Sequence, residues 1–367
     1  MNRFDNKLMA LALTLMIPAA AIGDDDSLTV EIGGRLQLDY TFFDNDKFEF
    51  ENGGEMRRGR LFVKGKLARH WNYKVQYDFA PDDPELKDGY LRYTGLNNAQ
   101  VWLGNFKQPA SLEQLTSSKY ITFTERGLVT GTTEGRRMGV GYQGWGEQYT
   151  WMATIYGDEA NGNVEGNGVG GRFVFRPNLG GDSLLHLAIN GSWNEDADDT
   201  IRLRVRPESH QDSHRILDTG PIENVNNFVR IGLEAAYVQG RFSTQAEFTS
   251  LDVNRRDAQD LTFSGYYAYA SFFLTDDTRP YKAKDGAFSR VKPKSDQGAW
   301  EVALRFSSLD LTDEEILGGK GEAVTLALNF YATPHLRFMA NYIAADTDEV
   351  AGDDDPNAFQ FRLHYDF

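Results

Sequence analysis

The sequence predicts an all-β protein, a 16-stranded antiparallel transmembrane β-barrel with inward-folded constriction loops, and three observations carry that prediction. The last nine residues alternate without a break: Phe359, Phe361, Leu363, Tyr365 and Phe367 fall on one face, and Gln360, Arg362, His364 and Asp366 on the other. The amino terminus carries the marks of an exported precursor. Between the two ends, further segments repeat the same period of two. In a membrane barrel the apolar face meets lipid and the polar face a wet lumen. A half-buried strand of a soluble sandwich alternates in the same way, so repetition along the chain decides the matter.

At the amino terminus, Arg3 and Lys7 frame the start of an apolar stretch, Leu8 to Ala20, that is too short to span a bilayer as a helix. Ala21-Ile22-Gly23 then offers small residues at a cleavage position. Residues 1–23 are therefore expected to be a signal peptide and residues 24–367 one outer-membrane barrel. No later stretch approaches the ~20 consecutive apolar residues of a membrane helix. Strands are expected near 29–43, 56–67, 71–80, 87–95, 99–106, 136–143, 147–156, 170–175, 182–193, 228–238, 241–251, 264–274, 298–308, 321–331, 335–345 and 357–367. Sixteen is the porin number.

Gly144-Trp145-Gly146 and Val238-Gln239-Gly240-Arg241 are too short for anything but hairpins. With the amino terminus in the periplasm, the long polar connections become outer loops, near 44–55, 81–86, 107–135, 157–169, 194–227, 252–263, 309–320 and 346–356. Residues 275–297 break the rule, being long on the periplasmic side. They predict either a further hairpin or a segment folded inward.

The chain has no cysteine, which removes disulfides and thiolate metal sites and suits passage through an oxidising periplasm. A net charge of −16 argues against nucleic acid as a partner. That charge is segregated by segment. Acids crowd the outer loops, with Asp44, Asp46, Glu49, Glu51 and Glu55 in the first and Asp346, Asp348, Glu349, Asp353, Asp354 and Asp355 in the last. They read as solvated carboxylates, with divalent cations bridging to lipopolysaccharide as the alternative.

Cations dominate part of the lumen. In the second strand Arg58, Arg60, Lys64 and Lys66 share one parity against Leu61, Val63 and Leu67. A charged side chain facing lipid at the midplane costs about 2–4 kcal/mol, so that parity is the lumen. Arg35 and Lys74 follow it in the flanking strands. Between Met56 and Tyr77 there are seven Lys or Arg and no acid. Arg57 is off parity and requires a bulge or a rim position. Either this is an ordinary lumen with acids opposite, or it is an uncompensated wall that selects anions.

Three further segments bear on that choice. Arg202, Arg204 and Arg206 step along one face of an extended stretch, as a ladder of sites or as partners for Asp196, Asp198 and Asp199. Residues 279–294 carry Arg279, Lys282, Lys284, Arg290, Lys292 and Lys294 against Asp285. The loop from Lys107 to Gly135 mixes apolar residues with Lys119 and Arg126, which suits a constriction tucked against the wall. Ser117 and Ser118 beside Lys119 offer hydroxyl donors for an oxyanion.

These pieces resemble a family, the phosphate-selective porins of the O and P type from Gram-negative outer membranes. The matching residues are Gly34-Arg35-Leu36-Gln37, Arg57-Arg58-Gly59-Arg60-Leu61, Gly65-Lys66-Leu67, Asp88-Gly89-Tyr90-Leu91 and Gly104-Asn105-Phe106-Lys107-Gln108-Pro109. The longest match runs from Leu112-Glu113-Gln114-Leu115-Thr116-Ser117-Ser118-Lys119 through Phe123-Thr124-Glu125-Arg126 to Gly135-Arg136-Arg137-Met138-Gly139-Val140. Arg279-Pro280-Tyr281, Val291-Lys292-Pro293 and Gly298-Ala299-Trp300-Glu301 complete it.

The resemblance implies a homotrimer of barrels and passive passage of inorganic phosphate or related anions. It places Arg35, Arg57, Arg58 and Lys119 around the anion, Asp88 as moderator of the field, and Arg202, Arg204 and Arg206 on the approach. No cofactor is expected. The six histidines lie beside no nucleophile motif, so an enzyme is not expected. A general or sugar channel is the alternative, with outer loops serving as receptor or adhesion surface. Tyr73, Tyr77, Phe242 and Phe248 fall on lipid-facing parity, which disfavours a lumenal aromatic slide for sugars.

Overall fold

The computed structural model describes residues 28–162, 166–195, 198–348 and 355–367. The expected signal peptide lies outside the described residues, as do Asp196, Glu349, Asp353 and Asp354.

Alternation closes the chain into one barrel of sixteen antiparallel strands. In order they are β1 Glu31–Asp44, β2 Gly53–Ala68, β3 Trp71–Asp78, β4 Glu85–Leu96, β5 Ala99–Lys107, β6 Arg136–Trp145, β7 Tyr149–Tyr156, β8 Gly168–Phe175, β9 Leu184–Glu195, β10 Val225–Gln239, β11 Phe242–Arg255, β12 Leu261–Phe273, β13 Ala299–Asp313, β14 Ile316–Tyr331, β15 Leu336–Asp348 and β16 Asn357–Asp366. Each strand pairs with its chain neighbours, and β1 pairs with β16 from Arg35 opposite Asp366 to Asp44 opposite Asn357. Closure satisfies the backbone groups that an open edge would expose to lipid. In β16 the parity is complete, Phe359 being 51% exposed and its neighbour Gln360 0%. The apolar face points outward and the polar face inward.

Where the outer loops begin differs from expectation. The stretch expected as a loop at 309–320 is mostly strand, with β13 and β14 joined by Glu314 and Glu315 alone. The reason lies on the inner face. Leu309 and Leu311 continue the lumenal parity of β13, and with Leu251, Val253, Leu261 and Phe263 they form an apolar seat at the outer mouth. Leu203, Val205, Ile216, Leu217 and Ile222 from the long connection between β9 and β10 pack into it. Burying each such side chain contributes about 1.5–3 kcal/mol, which pulls this loop into the mouth.

Two other segments fill the lumen. Between β5 and β6, Ser111 caps the one-turn helix α1, Leu112–Leu115, by accepting from the Gln114 amide at 3.1 Å. The segment is pinned to the opposite wall. Glu247 of β11 accepts from the amides of Leu112 (2.9 Å) and Glu113 (2.7 Å). Arg337 of β15 donates to the carbonyls of Ile121 (2.7 Å) and Thr122 (2.9 Å), and Arg305 of β13 to that of Glu125 (3.0 Å). The connection from β12 to β13 resolves the earlier alternative, for it is a small hairpin that also folds inward. Tyr281 pairs with Phe288, and the carbonyls of Ala283 and Lys284 accept from Thr150 (2.7 Å) and Gln143 (2.9 Å) on the inner wall.

Candidate functional site

The site begins with an irregularity in β2. Gln37 of β1 opposes Arg58 while Leu38 opposes Met56, so Arg57 is an inserted residue, the bulge that its parity required. Two consecutive arginines thereby reach one acceptor inside the barrel. Arg57 donates to Glu125 from Nε (2.8 Å) and Nη2 (3.0 Å), and Arg58 from Nη1 (3.3 Å) and Nη2 (3.2 Å). Burial opposes the charge on Glu125, but Arg57, Arg58 and Arg362 together hold its carboxyl well below the ordinary range.

Beside this cluster lies a cavity of about 540 Å³, bounded by β1 to β8, the loop at 108–135 and the inward hairpin. Arg35, Arg58, Arg60, Asp88, Ser117, Ser118 and Lys119 all line it. Its wall holds twelve Lys or Arg side chains and two Asp. The barrel thus brings together residues that lie up to 84 positions apart between Arg35 and Lys119.

Of the two readings left open for β2 and β3, the structure gives acids opposite and corrects the reading of an uncompensated wall. Glu125 takes Arg57 and Arg58, Asp78 takes Arg60 at 2.6 Å, and Asp88 takes Lys74 at 2.5 Å and Arg136 at 2.7 Å. Lys119 shares Asp366 (3.1 Å) with Arg290. Sequence showed no acid between Met56 and Tyr77, yet the fold supplies acids from neighbouring strands and the inner loop.

The unpaired charge lies elsewhere. Arg35 donates from Nη1 to Ser118 (2.5 Å) and Ser117 (3.4 Å), and Lys107 donates to the Gln114 carbonyl. Arg126 donates to the carbonyls of Glu113 (2.9 Å) and Thr116 (3.0 Å). None of these three cations meets a carboxylate within ion-pair distance among the described residues. Arg60 and Arg136 act on all three and Arg126 on Lys107, countered at longer range by Asp88 for Arg35 and Lys107 and by Glu113 and Glu125 for Arg126. Partly desolvated cations without a counter-charge are costly, and a mobile anion relieves that cost.

Lys107, Arg126 and Arg136 were not singled out as site residues by sequence. All three stood in the stretches that carry the family resemblance, which was the available signal. Their convergence depends on how the 108–135 loop re-enters the barrel, which strand parity does not encode.

The outer arginines divide. Leu203 and Val205 bury in the apolar seat, which turns Arg202, Arg204 and Arg206 the other way, on one face as expected. None of the three lines the cavity. Arg202 is paired with Asp218 (2.7 and 2.5 Å), and that bond holds the Asp218 carboxyl below its ordinary range. Arg204 stands exposed near Arg215, and Arg206 lies in the field of Arg215 and Arg57 with its Nε unpartnered. Of the three, Arg206 is the one in whose field Arg57 of the inner cluster lies.

Comparisons with known proteins agree with this geometry. The family model for phosphate-selective porin O and P matches residues 30–367. Porin O of Pseudomonas aeruginosa is 27% identical over 393 aligned residues, covering 94% of this chain and 89% of that protein. An anion-selective porin from Comamonas acidovorans superposes with a TM-score of 0.62 at 14% identity, over 93% of this chain and 100% of that one. The trimer form of OmpT from Vibrio cholerae superposes with a TM-score of 0.59 at 11% identity, over 93% and 100% of the two chains. The two structures speak for the fold, and the family match speaks for kinship. The chain belongs to the phosphate-selective porin O and P family and is a porin of the Gram-negative outer membrane.

Proposed function

We propose that this porin passes phosphate-type oxyanions passively, holding them for a moment in the lumenal cavity. The observation that carries the reading is the trio Arg35, Lys107 and Arg126, three cations in one cavity with no carboxylate partner. Arginine's planar fork suits a tetrahedral oxyanion. The Ser117 and Ser118 hydroxyls accept from Arg35 and keep their own protons to donate onward.

Lys119, Arg58 and Arg60 deepen the positive potential, while Asp88, already holding Lys74 and Arg136, limits it so that the ion leaves. Arg57 supports the field from behind Glu125. Arg206, then Arg204 and Arg202, extend it toward the outer mouth. Transport of this kind requires no cofactor and no covalent step.

The test is single-channel recording in planar bilayers. Under a chloride gradient the reversal potential should favour anions, and added phosphate should block the chloride current at millimolar levels or below. A cation preference, or chloride current indifferent to phosphate, refutes the reading.

A homotrimer is the proposed assembly, on the precedent of OmpT in its trimer form. Light scattering of the detergent-extracted particle should give three copies, and a mass of one copy excludes it.

A further inference from the structure

The cavity has a second wall that inorganic phosphate does not explain. Three strands of this side of the barrel turn four aromatic side chains inward: Phe62 from β2, Tyr90 from β4, and Trp102 and Phe106 from its neighbour β5. Lipid-facing parity holds for Phe242 and Phe248, as expected, while these four fall on the lumenal parity. Trp102 is the centre of the row, with ring centroids 4.8 Å from Tyr90 and 5.6 Å from Phe106. Tyr90 and Trp102 are half-buried, whereas Tyr267 and Tyr269 across the barrel are packed away.

Chemistry separates this row from a structural filler. An aromatic face carries a negative quadrupole and repels a bare oxyanion. Here two of the four rings, Phe62 and Trp102, have cations beside their faces. The Arg92 guanidinium stands 5.0 Å from the Trp102 centroid, and its buried Nε has no hydrogen-bond partner. Lys74 and Lys119 lie 5.5 and 5.9 Å from the Phe62 centroid. The cavity, about 540 Å³, falls within the ~300–1,000 Å³ range of sites for small organic ligands.

We propose that the cavity accepts organic oxyanions with a flat aromatic body, the anionic head on the unpaired cations and the ring against Trp102 and Tyr90. This rests on the oxyanion reading above and names the substrate class of the same site. Arg92 bridges the two halves, its guanidinium lining the cavity beside the head group while it stands 5.0 Å from the indole centroid.

The test compares inorganic phosphate, methyl phosphate and phenyl phosphate as blockers of chloride current. Methyl and phenyl phosphate carry the same head, so their ratio isolates the ring. Phenyl phosphate should half-block at a concentration roughly five- to tenfold below methyl phosphate. In Trp102→Leu that ratio should fall to near one, and Tyr90→Leu provides the same reading should the first variant fail to fold.

Equal block by both esters, with phosphate still blocking, overturns the aromatic site and leaves the oxyanion reading intact. A ratio that survives both substitutions likewise overturns it. Absence of block by all three overturns both.

Discussion

Replacing Arg35 and Lys107 together with glutamine should raise the phosphate concentration for half-block about a hundredfold. Each is an unpaired cation of the cavity wall, bonded to hydroxyl or carbonyl oxygens and to no carboxylate. A hydrogen bond to a charged group contributes about 1.5–3 kcal/mol, and ~1.4 kcal/mol corresponds to a factor of ten in affinity. The single variants should each lose roughly tenfold.

Arg57→Gln provides the contrast. Its donors are committed to Glu125 at 2.8 and 3.0 Å, so its loss acts on the anion through the long-range field alone. That effect should be about two- to threefold and should shrink near 1 M salt, where the screening length is ~3 Å. Equal losses in Arg57→Gln and Arg35→Gln would show that the field, and not free donors, sets affinity.

The second large effect concerns the ion pair that holds the constriction. Arg362 is buried and donates to Asp39 from Nε and Nη2, both at 2.6 Å, to Glu125 at 2.7 Å, and to the Thr124 carbonyl. One guanidinium therefore ties the first strand to the inner loop. Asp39→Asn removes one of the two carboxylates facing Arg362 and leaves Glu125 at 2.7 Å, so it should cost about 1.5–3 kcal/mol, the scale of a hydrogen bond to a charged group, and not the full penalty of an uncompensated buried charge.

The expected readouts are a lower heat-unfolding temperature, a larger single-channel conductance and weaker phosphate block, because Thr124 and Glu125 lose their fixed position. Asp39→Leu combined with Arg362→Met removes both charges and should recover much of the stability, since a buried pair replaced by packed apolar groups is often neutral. It should not recover the block. Unchanged unfolding and conductance in Asp39→Asn would show that the remaining contacts, from Arg337 and Arg305, suffice to hold the loop.

Strand count, pairing order and the lumenal face were legible because each is a local, repeated property. Phe359 to Phe367 show it most plainly, and the bulge at Arg57 was visible as a break in that repeat. Parity also identified Arg35, Arg58 and Arg60 as lumenal, the family resemblance added Asp88, and the structure places all four around one cavity. Where lumenal positions turn apolar, as at Leu309 and Leu311, the same rule failed to tell strand from loop. Their partners come from a connection about a hundred residues earlier.

By itself, then, the sequence determined a closed barrel with a cationic inner face, because a membrane forces every strand to obey the same two-residue rule. Only the tertiary structure decided which cations are free. Charge compensation is a matter of a few ångströms between side chains distant in sequence, as between Arg57 and Glu125 or Arg362 and Asp39. The path of the inner loop settles those distances. It thereby leaves Arg35, Lys107 and Arg126 without a paired carboxylate, lining one cavity together with Tyr90 and Trp102.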